Sequence, residues 1–325
     1  MKVTAYAATM QAVWFSHDLG ETWNRPPTPT GGFYNEARCW AVSSHPNRPG
    51  EFLAGTDQGL YRWLHNTQCW NYLPSPMDDL HILQIAQSPA DADFIVCGTR
   101  PGEIFISDDA GISWHRSKLN AAVECWFINT PRITSIQFDP LDNDAIWITV
   151  EIDGVYRSTD KGKTWEPLVD GLRDNDTHNV VFLDHDGGRS ILCSTEAGLH
   201  KSNDEGKCWN YVEVPEAPWP YFRCLDLKKD NSGTIFASIG HLPSGDIGML
   251  LISRDRGETW VKAAVPEPVN STIWWIGSNA ADANLIFLCT IFGQIFRSQD
   301  GGETWEKMPR ELGEIRMIGW APTPQ

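Results

Sequence analysis

The chain has 325 residues, 41% of them hydrophobic and 21% charged, which is typical of a folded globular protein and not of a disordered or fibrous one. It carries 26 basic and 42 acidic residues, so its formal net charge at pH 7 is −16. Nucleic-acid-binding surfaces and surfaces that bind anionic lipid both need a surplus of Lys and Arg. The charge therefore argues against both, and we expect neither nucleic acid nor membrane as a partner.

The first residues, Met-Lys-Val-Thr-Ala-Tyr-Ala-Ala-Thr, do not resemble a signal peptide, because polar residues interrupt the apolar stretch. The sequence also lacks the run of about 18 apolar residues that a membrane-spanning helix needs. We therefore expect a cytoplasmic protein.

Eight cysteines are present, and their positions argue against a disulfide framework. Cys97, Cys193 and Cys289 occupy the place that Ala54 and Ala237 hold in similar strands, as expected for a small buried core residue. No Cys-x-x-Cys pair or Cys/His cluster has the spacing of metal ligands. We expect reduced, structural cysteines and no cofactor or metal, although histidines from separate segments could hold a metal without leaving such a spacing.

One octapeptide, Ser-x-Asp-x-Gly-x-Thr-Trp, organises the chain. Six copies begin at Ser16, Ser107, Ser158, Ser202, Ser253 and Ser298, and a degenerate copy runs from Trp63 to Trp70. The seven terminal tryptophans follow one another at intervals of 44 to 51 residues. The Asp and Gly suit a tight turn, and the indole can fill the space between neighbouring sheets.

This octapeptide resembles the Asp-box (BNR) motif of sialidase-like β-propellers, and the resemblance covers almost the whole chain. Each repeat also holds three apolar runs before its box, for example Ile133 to Pro140, Asp144 to Val150 and Gly154 to Ser158. Four short strands per repeat correspond to one propeller blade.

The two ends of the sequence complete the ring. The chain starts at the second strand of a blade, Val3 to Thr9, and ends with an unpaired inner-strand pattern, Ile315 to Pro322. Pairing between these segments would close the ring and remove its exposed edges. We therefore predict an all-β fold, a single seven-bladed propeller of four-stranded blades over residues 1–325.

The Asp-box turns join third to fourth strands, so they should lie around one rim and serve structure. The opposite rim is the better place for a site, because the starts of the inner strands converge there on the central channel. Counting eight residues back from the proline that ends an inner strand gives Arg38, His81 and Arg132. The later repeats place His178, Tyr221, Arg223 and Arg316 in the same neighbourhood.

Other candidates on this rim are Trp40, Trp274 and Trp275 near inner-strand starts, Glu151 with Asp153 on one loop, and His241 with Asp246 on the longest loop. The apolar link 120–131 could roof the channel. Several arginines in one funnel favour a bound anion, because guanidinium matches a carboxylate, phosphate or sulfate in two-point contact. The alternative is that each arginine pairs with a nearby acid, such as Glu36, Asp79, Asp176 or Glu314.

The resemblance to Asp-box propellers implies several kinds of function. Sialidases have six blades and an early Phe/Tyr-Arg-Ile-Pro motif, which this chain lacks, and xyloglucanases use two propellers to form their cleft. Propeller lyases acting on uronates use Arg or Lys to neutralise a carboxylate and a His/Tyr pair as base and acid, roles that His81, His178 and Tyr221 would suit.

We therefore expect a small-molecule enzyme, a lyase or glycoside hydrolase, acting on an anionic substrate such as a sugar acid. Substrate binding would fall to Arg38, Arg132, Arg223, Arg316, Trp40, Trp274, Glu151 and His241. The alternative is a non-catalytic propeller that engages a protein partner through an arginine-rich rim, similar to photosystem assembly factors of the Asp-box type.

Overall fold

The computed structural model describes residues 1–26, 33, 36–125, 129–185 and 188–324. These ranges form strands and turns, with no helix among them. In chain order the strands are β1 Val3–Thr9, β2 Ala12–Ser16, β3 Cys39–Ser44, β4 Glu51–Thr56, β5 Gly59–Leu64, β6 Cys69–Leu73, β7 His81–Ser88, β8 Asp91–Arg100, β9 Ile104–Ser107, β10 His115–Arg116, β11 Ile133–Asp139, β12 Asp142–Val150, β13 Gly154–Ser158, β14 Glu166–Pro167, β15 Thr177–His185, β16 Gly188–Thr195, β17 Gly198–Ser202, β18 Asn210–Val212, β19 Tyr221–Leu227, β20 Ile235–Gly240, β21 Gly248–Ser253, β22 Val261–Lys262, β23 Ile273–Ser278, β24 Ile286–Thr290, β25 Ile295–Ser298, β26 Glu306–Lys307 and β27 Ile315–Pro322.

The strands pair into seven antiparallel sheets, which are the seven predicted blades. Blade 1 is β27-β1-β2, and blades 2 to 7 are β3–β6, β7–β10, β11–β14, β15–β18, β19–β22 and β23–β26. The inner strand of each blade contacts the inner strand of the next, so the blades form a ring around a central channel.

The ring closes as the sequence predicts. Strand β27 pairs antiparallel with β1 from Val3 opposite Pro322 to Thr9 opposite Ile315. A bridge between Phe15 and Asn24 supplies the fourth element of blade 1. Blade 1 therefore combines both ends of the chain, and the edges of β1 and β27 that face each other are paired.

The core lies between adjacent blades. The box residues Trp23, Trp209 and Trp260 are 0–3% exposed and pack into the interblade clusters. Cys97, Cys193 and Cys289 are fully buried, as the alternation with alanine predicts. Cys39, Cys97, Cys193, Cys224 and Cys289 are buried free thiols.

The Asp-box turn is held by one carboxylate, as the box of blade 4 shows. Asp160 Oδ1 accepts hydrogen bonds from Ser158 Oγ at 2.7 Å and from the Thr164 backbone N–H at 2.9 Å, and Thr164 Oγ1 donates to Oδ2 at 2.6 Å. Burial opposes ionisation, but these hydrogen bonds prevail and lower the pKa of Asp160 to about 2. Lys161 and Gly162 have positive φ angles of 60° and 79°, which the tight turn requires.

The degenerate copy in blade 2 folds differently. Leu64 pairs directly with Cys69, and the turn between them contains Gln68 at φ 52° and no aspartate. Trp70 nevertheless stays buried at 4% exposure, so the indole keeps its packing role where the carboxylate is lost.

Candidate functional site

A β-bulge occurs at the same level in the inner strand of every blade. In each case one inner-strand residue has no partner on the second strand; for example, Ile273 and Trp275 pair with Thr290 and Cys289, and Trp274 between them is skipped. The seven skipped residues, which we call the bulge ring, are in blade order Arg316, Trp40, Leu83, Thr134, His178, Arg223 and Trp274. A bulge redirects a side chain relative to the regular pleat, and here it repeats around the axis.

The bulge ring surrounds a cavity at the centre of the propeller, which we call the central pocket. Its lining residues are Trp40, Leu83, Gln84, Arg132, Ile133, Thr134, Arg223, Trp274 and Arg316. Six of them are bulge residues, and five are predicted substrate-binding residues. The free space is only ≈ 20 Å³, room for about one or two waters, so the pocket fits a small chemical group and not a whole sugar.

Arginine and aromatic side chains alternate around one side of the central pocket. The Arg223 guanidinium carbon lies 4.0 Å from the centre of the Trp274 ring, and that of Arg316 lies 5.0 Å from Trp274 and 4.9 Å from Trp40. Trp40 in turn stacks on His81 with ring centres 5.8 Å apart. These cation–π contacts fix the guanidinium planes against rigid indoles.

The three arginines of the pocket differ in their partners. Arg132 Nη2 lies 2.7 Å from Glu151 Oε1, and Arg316 forms an ion pair with Glu314. For these two arginines the structure agrees with the alternative in which each arginine pairs with a nearby acid. Glu314 was among the acids named for that role, and Glu151 was not.

Arg223 has no such partner. It is 6% exposed, its Nε is buried without an acceptor, and within the described ranges its guanidinium makes no hydrogen bond or ion pair. Burial lowers the pKa of Arg223, and the nearby charge of Arg132 adds to the shift. Burial also lowers the pKa of Arg316 to about 10, with a further contribution from Arg132 and Arg223.

Beside Arg223 lies a cluster of titratable groups from blades 5 and 6. His178 Nδ1 lies 2.6 Å from the Phe222 carbonyl, its Nε2 lies 3.5 Å from Asp176 Oδ1, and its ring centre is 4.9 Å from that of Tyr221. Burial raises the pKa of Tyr221. Burial opposes ionisation of Asp176, but His178, Arg132 and Arg223 together lower its pKa.

Glu196 extends this cluster, and sequence analysis did not select it. Its backbone N–H donates to the Asp176 carbonyl at 3.0 Å. Burial raises the pKa of Glu196, and the charge of Asp176 raises it further. The two neighbouring carboxyl groups are thus shifted in opposite directions, Asp176 down and Glu196 up, a pattern found in acid–base pairs.

The remaining predicted residues lie away from the central pocket. His81 faces Trp40, and burial, together with Arg100 and Arg38, lowers its pKa. Arg38 is exposed, and its backbone N–H donates to Asp57 Oδ1 at 3.0 Å. His241 is exposed on its long loop, where Asp246 is exposed too.

Trp275, a candidate on this rim, is partly buried and packs against the interblade core. Asp153 accepts hydrogen bonds from the Ala122 backbone N–H at 2.7 Å and from Tyr156 Oη at 2.6 Å, so it ties the 120s link to blade 4. Residues 126–128 of that link, part of the proposed roof, lie outside the described residues.

Sequence analysis also missed Leu83, Gln84, Ile133 and Thr134 as pocket residues. The sequence did contain a signal for the bulge. In each inner strand a buried residue stands directly before the bulge residue, and another buried residue stands two positions after it. In Ile315-Arg-Met-Ile318, for example, Arg316 is the bulge residue between buried Ile315 and Ile318. Aligned on this motif, Arg38, His81, Arg132 and Tyr221 stand two residues before the bulge.

In the part of the chain that the structure describes, no group of three or more His, Cys, Asp or Glu side chains is arranged to hold a metal ion. No described helix is long and apolar enough to span a membrane.

Two family models match parts of the chain. The BNR/Asp-box repeat model matches residues 105–116 and 296–307. The model "Sortilin, neurotensin receptor 3" of the Sortilin-Vps10 family matches residues 153–290.

Individual relatives are distant and mostly longer. A sortilin of Danio rerio is 22% identical over 56% of this chain, which spans only 21% of that protein. The photosystem II assembly lipoprotein Ycf48 of Synechococcus sp. is 25% identical over 62% of this chain and 68% of its own length.

Solved structures show the same fold. The GH74 xyloglucanase of Xanthomonas campestris superposes with a TM-score of 0.63 and 22% identity, over 88% of this chain and 46% of the enzyme. YCF48 bound to D1 peptide superposes with a TM-score of 0.54 and 15% identity, over 83% of this chain and 84% of that one. Together with the seven sheets and the repeated turns, these matches identify the chain as a seven-bladed β-propeller built on BNR/Asp-box repeats.

Proposed function

We propose that this propeller is a binding protein whose central pocket takes a carboxylate presented by a protein partner. The observation that carries the proposal is Arg223, a buried guanidinium without a carboxylate or hydrogen-bond partner in the described structure. A buried charge left unpaired is costly, and a bound anion would offset that cost. Guanidinium offers a carboxylate two parallel hydrogen bonds.

The size of the pocket supports a presented group over a free sugar. With ≈ 20 Å³ of free space, the pocket can enclose a group about the size of one carboxylate, and the rest of a ligand would lie outside it. Trp274 and Trp40 would flank the group, and Arg316 and Arg132 would add positive charge. The structure of YCF48 bound to D1 peptide has this fold, and the superposition covers most of both chains. A propeller of this kind can therefore bind a peptide, which supports a peptide ligand here.

The test uses thermal shift with three probes: acetate, glucuronate and the peptide acetyl-Gly-Gly-Glu-Gly-Gly-amide. Binding to the folded state raises the melting temperature, by about 4 °C at 100 times the Kd for a chain of this length. We expect the peptide to stabilise most, Arg223→Gln to abolish the shift and Arg223→Lys to reduce it.

Arg254→Gln is the matched control, because Arg254 is exposed beside Glu303 and lies outside the central pocket. It should retain the wild-type response. An unchanged shift in Arg223→Gln, or no shift with any probe at about 50 mM, would overturn the proposal, since affinities weaker than this carry under about 2 kcal/mol.

A second candidate function, a lyase acting on uronates, is favoured by the cluster beside Arg223. The carbonyl of Phe222 can only accept, so His178 Nδ1 carries hydrogen, and Nε2 is the ring nitrogen that would exchange a proton with a substrate. Arg223 would neutralise the substrate carboxylate, His178 would remove the proton α to it, and Tyr221 would protonate the departing oxygen as the double bond forms. The pocket would have to open for this substrate.

Catalysis is tested with uronate-containing oligosaccharides, by following the absorbance of the unsaturated product. If the lyase reading holds, Tyr221→Phe should lower kcat by about 10²–10⁴-fold because it removes the proton donor and keeps the ring. Glucuronate stabilising more than the peptide would favour this candidate. Absence of product with every substrate, or full activity in Tyr221→Phe, would count against it.

A further inference from the structure

A second cavity lies on the same rim as the central pocket, beside blade 1. It is lined by the β1–β2 turn and by the link from blade 7 to β27, and its volume is ≈ 410 Å³. We call it the blade-1 pocket; its lining residues are Met10, Gln11, Trp14, Arg25, Arg310, Glu311, Leu312, Gly313 and Glu314. It is far larger than the central pocket and could hold several ligand atoms.

Two guanidiniums lie over one indole in this cavity. The Arg25 and Arg310 guanidinium carbons are 5.0 and 4.5 Å from the centre of the Trp14 ring. Neither arginine forms an ion pair within the described residues. Arg310 donates one hydrogen bond from Nη1 to the Trp23 carbonyl at 2.9 Å, and its other N–H groups remain available.

The acids of the cavity are already engaged. Glu311 Oε1 lies 2.8 Å from Lys307 Nζ, and Glu314 forms its ion pair with Arg316. The charges of Arg25 and Arg310 are therefore not balanced locally, although the chain as a whole carries a net charge of −16.

Trp14 supplies an independent sign of a missing acceptor. Its indole Nε1 is buried and has no hydrogen-bond partner among the residues that the structure describes. A buried donor without an acceptor is destabilising, because the hydrogen bond that it made to water is not replaced. The blade-1 pocket thus gathers two guanidiniums without an ion-pair partner and one indole N–H without an acceptor among the described residues.

From this arrangement we propose that the blade-1 pocket is a second anion-binding site, separate from the central pocket, which takes a phosphate or carboxylate group over Trp14 between Arg25 and Arg310. Glu314 belongs to this pocket and pairs with Arg316 of the central pocket. The two sites are therefore neighbours, separated by about 7 Å of strand between residues 314 and 316. One ligand with two anionic groups can span them.

The experiment follows the indole N–H resonances of 15N-tryptophan-labelled protein during titration. The Trp14 resonance is the one missing in Trp14→Phe. The probes are inorganic phosphate and the peptide acetyl-(Glu)6-amide, which separate a free anion from an acidic polypeptide. We expect both probes to shift the Trp14 resonance, and the peptide to bind more tightly because it can reach both sites.

Arg25→Gln and Arg310→Gln should each weaken phosphate binding about 10- to 100-fold, the usual effect of losing one charged hydrogen-bond donor. Arg223→Gln should leave the phosphate titration of Trp14 unchanged, and Arg254→Gln serves as the control on the exposed surface. The inference is overturned if neither probe shifts Trp14 at about 50 mM. It is equally overturned if the double variant Arg25→Gln/Arg310→Gln titrates as the wild type does.

Because the readouts differ, the two proposals fail separately. Loss of the Trp14 response with Arg223-dependent stabilisation intact overturns this site alone. The reverse result removes the central pocket and leaves the blade-1 pocket standing.

Discussion

At the scale of single residues, the Asp-box carboxylates differ in one contact. Five of the six aspartates accept a hydrogen bond from a hydroxyl four residues later, that of Thr22, Ser113, Thr164, Thr259 or Thr304. The sixth, Asp204, faces Cys208, whose backbone N–H donates at 3.0 Å and whose side chain offers no hydroxyl. The pKa of Asp204 is lowered by this backbone bond and by Ser202, and the missing hydroxyl is a defect that can be repaired.

Cys208→Thr should therefore stabilise the protein, raising the melting temperature by about 1 °C for a chain of this length. Cys208→Val is the matched control, because valine has the shape of threonine and cannot donate. Calorimetry at pH 7 checks the difference, and equal melting temperatures for the two variants would contradict it.

The same pair of variants gives a dependence on pH. The folded-state pKa of Asp204 lies below its ordinary value, so the extra stability is present above the unfolded-state pKa of about 3.9. It is lost as pH falls through the folded-state pKa. The advantage of threonine over valine should shrink in that range.

At the scale of secondary-structure elements, each bulge is matched by a small residue on the second strand. The residue that follows the bulge pairs, in blade order, with Ala8, Gly55, Gly98, Thr149, Ser194, Ser238 or Cys289. A Cβ added to Gly98 would lie 2.6 Å from Ile133 Cβ in the next blade. Small residues at this level therefore let neighbouring blades approach closely.

Gly98→Ala should destabilise the protein by about 1–3 kcal/mol, because the added methyl group overpacks the contact with Ile133. Gly102→Ala is the control, since its nearest atom would be the Pro131 carbonyl oxygen at 3.5 Å, an ordinary contact. Urea unfolding of the two variants tests this prediction. A similar decrease in the free energy of unfolding in both variants would show that packing against blade 4 is not the cause.

Secondary-structure elements also differ in how well they could be predicted from the sequence. Repeated boxes set the phase of every blade, so the strands and the ring closure could be predicted from box spacing together with the apolar runs between the boxes. The bulges could not be found by that route, because counting eight residues back treats an inner strand as a regular ladder. That count selected Arg38 and His81 along with Arg132, and of these three Arg132 alone lines the central pocket.

Partners of the charged side chains were harder still to predict. Arg132, Arg223 and Arg316 come from three blades, and their surroundings include residues far away in the chain. Whether an arginine meets an acid depends on side-chain geometry within and between blades, which spacing does not encode. The ion pair of Arg132 with Glu151 and the isolation of Arg223 therefore emerged only from the structure.

At the scale of the whole molecule, the two pockets that we propose to bind anions lie on one rim of a chain with net charge −16. Long-range attraction cannot guide an anion to such a protein, because its overall field is repulsive. Recognition has to come from short-range hydrogen bonds and stacking within the pockets. Screening of the net charge by salt should then assist binding, unlike the usual case of a basic protein.

The bulge ring draws one side chain from each repeat to a common level around the axis. Each wall of the central pocket is thus encoded in a different repeat, while the turns and interblade glycines that build the scaffold lie at other positions of the same repeat. Six of the seven bulge residues line the pocket, so a single codon change at one of them replaces one lining side chain and leaves the other five in place. Duplication of one blade unit supplies both a stable ring and seven independently variable positions, from which new ligand preferences can evolve stepwise.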